Sequence, residues 1–189
     1  MLYYFVMYVT PGPNNAMVLT SGLKFGFQKT ITHIFGITFG HIIQLIIVCF
    51  GLGQVFTLFP DVQIVLKYIC AFYILYLGYK ILGSINPIID DGSRPLKLYE
   101  AALFQIVNPK AWTISSMAAS GFLQINDNLG IAILIIASTA LVICPLSITP
   151  WAMFGAAIRQ IVKNKNIKTI IEYSLAFFLL ITAILIVYN

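Results

Sequence analysis

Two long stretches without an ionised side chain constrain this chain more than any other feature. Residues 30–60 and 128–158 contain no Asp, Glu, Lys or Arg, and each exceeds the roughly 20 residues that a helix needs to cross a hydrocarbon core. In lipid every backbone polar group must be bonded within the protein, so runs of this length read as spanning helices. The remainder leaves no stretch for a soluble domain: the 189 residues are 60% apolar and 9% charged, and the first charge is Lys24. The N-terminal apolar run passes straight into further membrane sequence, unlike a cleaved signal peptide, which is followed by polar mature chain. Cys49, Cys70 and Cys144 lie in separate apolar runs without CxxC spacing, the pattern of packing residues rather than of a redox or metal motif.

The expected architecture is an all-α polytopic membrane protein with six transmembrane helices, near residues 2–22, 34–59, 63–82, 101–125, 130–157 and 169–188. Lys24 and Lys29 fall in the first connection, Lys80, Arg94 and Lys97 in or beside the third, and Arg159, Lys163, Lys165 and Lys168 in the fifth. The second connection offers Asp61 and the fourth Asp127. Basic residues mark the cytoplasmic side, which puts both termini outside. The surplus of five positive charges thereby sets topology and implies no nucleic-acid partner.

The third connection, "GSINPIIDDGSRPLKLYE", is rich in turn residues. It divides the chain into three-helix halves, residues 1–92 and 93–189. A half with an odd number of spans ends on the side opposite its start, so a repeat of it sits inverted, an arrangement that places ligand sites at the repeat interface near the midplane. A short internal likeness fits this plan. "YVTPGPNNAMVLTSG" (8–22) and "FQIVNPKAWTISSMAASG" (104–121) each carry an Asn- and Pro-containing break ahead of a run ending in Ser-Gly.

Interior prolines interrupt a helix, whereas proline at its first position is favourable, with Gly or Asn as the preceding cap. Gly12-Pro13 and Asn108-Pro109 therefore read as the starts of half-helices at membrane depth. The amides of Asn14, Asn15 and Ala16, and of Lys110 and Ala111, would offer a carboxylate site at two positive dipole ends. Carbonyls released near Met7, Val9 and Gln105 would accept from an ammonium group. A zwitterion matches both, and the substrate-binding set is Gly12, Pro13, Asn14, Asn15, Asn108, Pro109 and Lys110. The plain alternative is a pair of kinks that only shape packing.

Lys110 is costly at such a place, about 2.5–3.5 kcal/mol on insertion scales and at the dipole end that repels cations. It calls for a bound anion, or for a lysine that exchanges a proton, unless the side chain snorkels to an interface. His41, after Gly36 and Gly40, is either a second proton-coupling group or a hydrogen-bonded interior histidine. His33 is expected at the interface, Lys67 to snorkel beside Asp61, and Gln44, Thr38, Ser115 and Ser116 to bond between helices. Pro145, Thr149 and Pro150 are expected to break the fifth span, and the tyrosines and tryptophans to form belts or packing.

"TPGPNN", "GITFGH", "LKYICAFYILYLGYKIL" and "VNPKAW" together resemble the LysE/RhtB family of bacterial amino-acid exporters, and "NN" with the ending "FFLLITAILIVYN" looks most like its cysteine and O-acetylserine branch. The resemblance implies a six-span carrier of the bacterial inner membrane that expels amino acids using the proton gradient. It carries over Pro11 to Asn15 as one motif and Asn108 to Ala111 as the other. His41 stands where many members have aspartate, and so little precedes Met7 that Met1 need not be the natural start.

The expected function is export of small amino acids or their derivatives by proton antiport, one half rocking against the other, with no cofactor and no resident metal. Partners are the amino acid, protons and membrane lipid, and a homodimer stays open. An ion or metal-ion carrier or channel is the alternative, disfavoured because no carboxylate can be placed in the interior. An intramembrane enzyme is excluded by the lack of GxSxG, HExxH or paired aspartates.

Overall fold

The computed structural model describes residues 1–51, 58–82, 94–123, 128–161 and 165–188. These form eight helices: α1 (Leu2–Val9), α2 (Pro13–Phe25), α3 (Phe27–Cys49), α4 (Pro60–Ile81), α5 (Leu98–Val107), α6 (Pro109–Phe122), α7 (Leu129–Ile161) and α8 (Lys165–Tyr188). Three stretches, Phe27–Cys49, Leu129–Arg159 and Thr169–Val187, are long and apolar enough to cross a membrane unaided, and Tyr68–Tyr79 and Leu98–Val107 are shorter apolar helices. Both expected breaks are present, α1 giving way to α2 across residues 10–12 and α5 to α6 at Asn108. Asp127, Lys163, the end of the fourth span and most of the third connection lie outside the described residues, as does the Lys67 side chain.

Small residues set the two tightest helix crossings. A Cβ added at Gly22 would collide with the Ala152 carbonyl, and one at Gly155 with the Leu19 carbonyl, so α2 and α7 meet backbone to backbone. At the second crossing, Gly36 and Gly40 of α3 lie against Leu98, Ala101 and Ala102 of α5. The four-residue spacing of Gly36 and Gly40 serves this approach, as small residues do between helices in lipid. Also on α3, Phe35, Phe39, Ile43 and Ile47 are exposed at the same spacing, a stripe suited to hydrocarbon. Two apolar clusters complete the packing. One joins α1, α3 and α7 through Tyr4, Ile37, Leu45 and Ile148, the other joins α2, α4, α5 and α8 through Met17, Ile74, Phe104 and Leu179. Cys49, Cys70 and Cys144 are free and buried within them.

Some expectations are corrected. The expected break at Pro145 and Pro150 is absent, because α7 runs through both prolines as one helix, whose packing tolerates the two lost backbone bonds. His33 is not interfacial but 2% exposed. Glu172, at the start of the apolar part of α8, is buried, so a carboxylate does occur in the interior. Ser115 is buried, and its hydroxyl has no partner among the described residues. The α5 start is tied outside the apolar span. Arg94 donates to both Glu100 carboxylate oxygens at 2.7 and 2.6 Å, and the Lys97 amide donates to the same carboxylate at 2.8 Å, the back-reaching half of a capping box.

Gly22→Val should drive α2 off α7 and lower stability by about 1–3 kcal/mol, the usual cost of overpacking, measured as a shift in thermal unfolding in detergent. The Arg94 guanidinium, followed by the Lys97 amide, holds the Glu100 carboxyl down from 4.5 to about 2. A depressed carboxylate stabilises the fold above its unfolded value and loses that contribution as pH falls from about 4.5 towards 2. A carbon-13 NMR titration of Glu100 should show the low midpoint, and Arg94→Ala should raise it.

Candidate functional site

Two helices of 8 and 10 residues, about 12 and 15 Å long at 1.5 Å per residue, end where their spans break. Across the first break, Pro13 is the first residue of α2 and Gly12 its cap in extended backbone. Across the second, Pro109 opens α6 and the Asn108 side chain accepts from the Lys110 amide at 3.2 Å. These are the cap and first-turn roles that Gly, Asn and Pro favour.

The breaks face each other and are joined side chain to side chain. Asn14 and Gln105 form a reciprocal amide pair, Asn14 Nδ2 to Gln105 Oε1 at 3.0 Å and Gln105 Nε2 to Asn14 Oδ1 at 3.1 Å. Asn108 Nδ2 adds to the same Gln105 oxygen at 3.4 Å, and Gln44 of α3 donates to the Gln105 carbonyl at 3.0 Å. Asn15, 2% exposed, turns back over the first break, and its Nδ2 donates to the Tyr8 and Thr10 carbonyls at 2.9 and 2.6 Å. Each tryptophan of the chain also stops one released carbonyl: Trp151 Nε1 donates to Val9 at 3.2 Å and Trp112 Nε1 to Ile106 at 2.8 Å.

Lys110 reaches from the second break into the first. Its Nζ lies 2.6 Å from the Thr10 carbonyl, 2.8 Å from Thr10 Oγ1 and 3.3 Å from the Pro11 carbonyl. These oxygens sit just beyond the C-terminal, negative end of α1, which offsets the unfavourable place of the lysine at the positive end of α6. The lysine stem runs over Gly12, where an added Cβ would come within 2.7 Å of Lys110 Cδ. A side chain at 12 would have to displace the lysine stem from this path.

A cavity opens between the breaks, lined by Tyr8, Gly12, Asn14, Asn15, His41, Asn108 and Lys110 together with Met7, Ala111, Ile114 and Ile148. It offers about 20 Å³ to the centre of a water molecule, room for one water. The His41 ring meets Tyr8 edge-on, with centroids 5.3 Å apart. His41 Nε2 and the Tyr8 hydroxyl are buried with no partner among the described residues.

Of the residues singled out from the sequence, Gly12, Asn14, Asn15, His41, Asn108 and Lys110 line this cavity, while Pro13 and Pro109 shape it from behind. Two finer expectations are corrected. The Ala16 amide bonds the Gly12 carbonyl at 3.0 Å and the Ala111 amide the Asn108 carbonyl at 3.1 Å. With the Lys110 amide capped, Asn14 and Asn15 carry the first-turn amides without a helical acceptor. The released carbonyls at Val9 and Gln105 are likewise taken by Trp151 and Gln44, and that at Met7 by Thr10 Oγ1. Sequence reasoning missed Thr10, Tyr8, Trp151 and the side chain of Gln105, having named only the Gln105 carbonyl. Gln105 was legible, a second amide three residues ahead of Asn108 in an apolar run.

Broken helices bridged by amides and an ammonium around a small cavity are a plan that membrane carriers use to bind ligands at membrane depth. A model of the family described as "LysE type translocator" matches residues 5–189, and the chain belongs to that family. Among curated relatives, a leucine efflux protein of Enterobacter sp. (strain 638) is 26% identical over 169 residues, 86% of this chain and 80% of that protein. A cysteine/O-acetylserine efflux protein of Salmonella choleraesuis (strain SC-B67) is 28% identical over 141 residues, 70% of this chain and 71% of that protein. No solved structure matches the chain.

Asn14→Ala and Gln105→Ala should each destabilise the protein by removing the reciprocal amide pair, about 0.5–1.5 kcal/mol. The double variant should lose less than their sum, with a coupling of about 0.5–1.5 kcal/mol, in the range of interhelical bonds in membranes. Unfolding titrations in mixed micelles measure the cycle.

Proposed function

We propose that this protein exports small zwitterionic amino acids, or their derivatives, from the bacterial cytoplasm across the inner membrane in exchange for protons. The single observation that carries the reading is the cavity between the two breaks, lined by Gly12, Asn14 and Asn15 from one break and Asn108 and Lys110 from the other, together with Tyr8 and His41. The substrate carboxylate is received by the Asn14 and Asn15 amides with Lys110, and its ammonium group by carbonyl oxygen. The same donor set, with an ammonium already inside, suits an organic zwitterion better than a bare cation, which disfavours the ion-carrier alternative. The named efflux activities of the relatives support the direction and the substrate class.

We read residues 1–92 and 93–189 as inverted three-helix repeats, with both termini outside. The pairing of helices supports this: α2 on α7 exchanges with α6 on α3, and α1 on α7 with α5 on α3, when the halves are exchanged, while α4 on α8 and α3 on α7 map onto themselves. His41 takes and returns the proton, its free Nε2 reaching the cavity wall.

A panel of labelled amino acids in proteoliposomes tests the reading by counterflow. At least one small neutral amino acid should exchange. Lys110→Ala and Asn15→Ala should each reduce exchange about 5- to 150-fold, the equivalent of about 1–3 kcal/mol of lost hydrogen bonding. His41→Gln should abolish export driven by a proton gradient while leaving exchange measurable. No movement of any member of a broad panel would sink the proposal.

A further inference from the structure

The oxygens that hold Lys110 form a built cation site whose occupant is a tethered primary ammonium. Three acceptors, the Thr10 carbonyl, Thr10 Oγ1 and the Pro11 carbonyl, surround Nζ at 2.6, 2.8 and 3.3 Å, one for each ammonium proton. All three come from the first break and the lysine from the second, 99–100 residues away in sequence. The cradle adjoins the cavity, since Gly12 and Lys110 line it, and glycine at 12 keeps the approach open to the lysine stem. The carbonyls of Tyr8, Val9 and Met7 are closed by Asn15, Trp151 and Thr10, and the Thr10 carbonyl is shared between Asn15 and Lys110, so the cradle is the part of the break held by a long, flexible side chain.

We infer that this cradle is the ammonium subsite of the transported molecule, and that Lys110 is its resting occupant, displaced when a ligand's own primary ammonium enters. The cavity has room for one water, so an amino acid enters only as the lysine withdraws. The released ammonium then has an anion to meet, the carboxylate of the same ligand. Exchange of one ammonium for another keeps the charge at the break balanced throughout loading, so neither the carbonyls nor the lysine is left without a partner. Secondary amines with two protons fill the cradle incompletely, and quaternary ones not at all. The inference rests on the exporter reading for the identity of the ligand, but the cradle itself is testable with a simple amine.

Trp151 donates to Val9, next to the cradle, and reports on it in a Trp112→Phe background, which leaves one indole. Ethylammonium is titrated against this protein in detergent, with and without Lys110→Ala or Lys110→Met, each checked for helical content and monodispersity. With either lysine replacement, Trp151 emission should change saturably, with a half-saturation at least ten-fold lower than when Lys110 is present. Tetramethylammonium, with no proton to donate, should cause no such change. Absence of saturation in the folded variants, an equal response to tetramethylammonium, or loss of folding in both variants overturns the inference. Saturation by ethylammonium in a protein whose Lys110 form moves no amino acid by counterflow would sink the exporter reading and leave the cradle. Counterflow without ethylammonium saturation would do the reverse.

Discussion

A backbone group released at membrane depth has no water to turn to, and the two interrupted spans release several at once. Asn15, Trp151 and Lys110 close the first break, and Asn108, Trp112 and Gln44 the second. Most of these side chains come from another helix or cross to another part of the fold, so satisfying the backbone and assembling the bundle are one process. The polar centre cannot be loosened locally: removing one donor exposes a carbonyl whose loss is felt in the packing of the helix that supplied it.

Electrostatics follow from the same geometry. A lysine at the start of a helix and inside an apolar protein is doubly unfavourable by itself. Placed beside the terminal carbonyls of α1, it becomes a bridge between opposite dipole ends. His41 and Tyr8, with Nε2 and hydroxyl unpartnered among the described residues, stand at the wall of the same space, so the cavity wall keeps hydrogen-bonding capacity that the protein's own contacts do not use. That is the condition in which a polar ligand competes well against the protein's own contacts.

The breaks and six residues of the cavity wall were legible because proline, glycine and asparagine have strong local rules and because an apolar background makes every amide conspicuous. What completed the site was not legible. Thr10 and Tyr8 look like ordinary residues beside a kink, and Trp151 sits in α7, 142 residues from the carbonyl it closes. No local pattern encodes that pairing. The amide groups expected to stand free were in part consumed by capping, since Asn108 serves its own helix before any ligand. Pro145 and Pro150 misled for the opposite reason: a local rule for breaking helices yielded to the surrounding packing of α7. His33 and Glu172 show the same limit, because burial of a polar group depends on neighbours supplied by distant chain.

The glycine crossings bear on how such a molecule can move. Gly22 and Gly155 weld α2 to α7, and Gly36 and Gly40 weld α3 to α5, with backbone against backbone and no side chain between to act as a bearing. Each weld joins a helix before the long third connection to one after it. The stiff bodies of this protein are therefore mixed in sequence origin, and a swing of residues 1–92 as a block against the remainder would have to shear both seams. Between the two welded pairs, by contrast, Asn14 meets Gln105 through side-chain hydrogen bonds, contacts that can break and re-form without a backbone moving past a backbone.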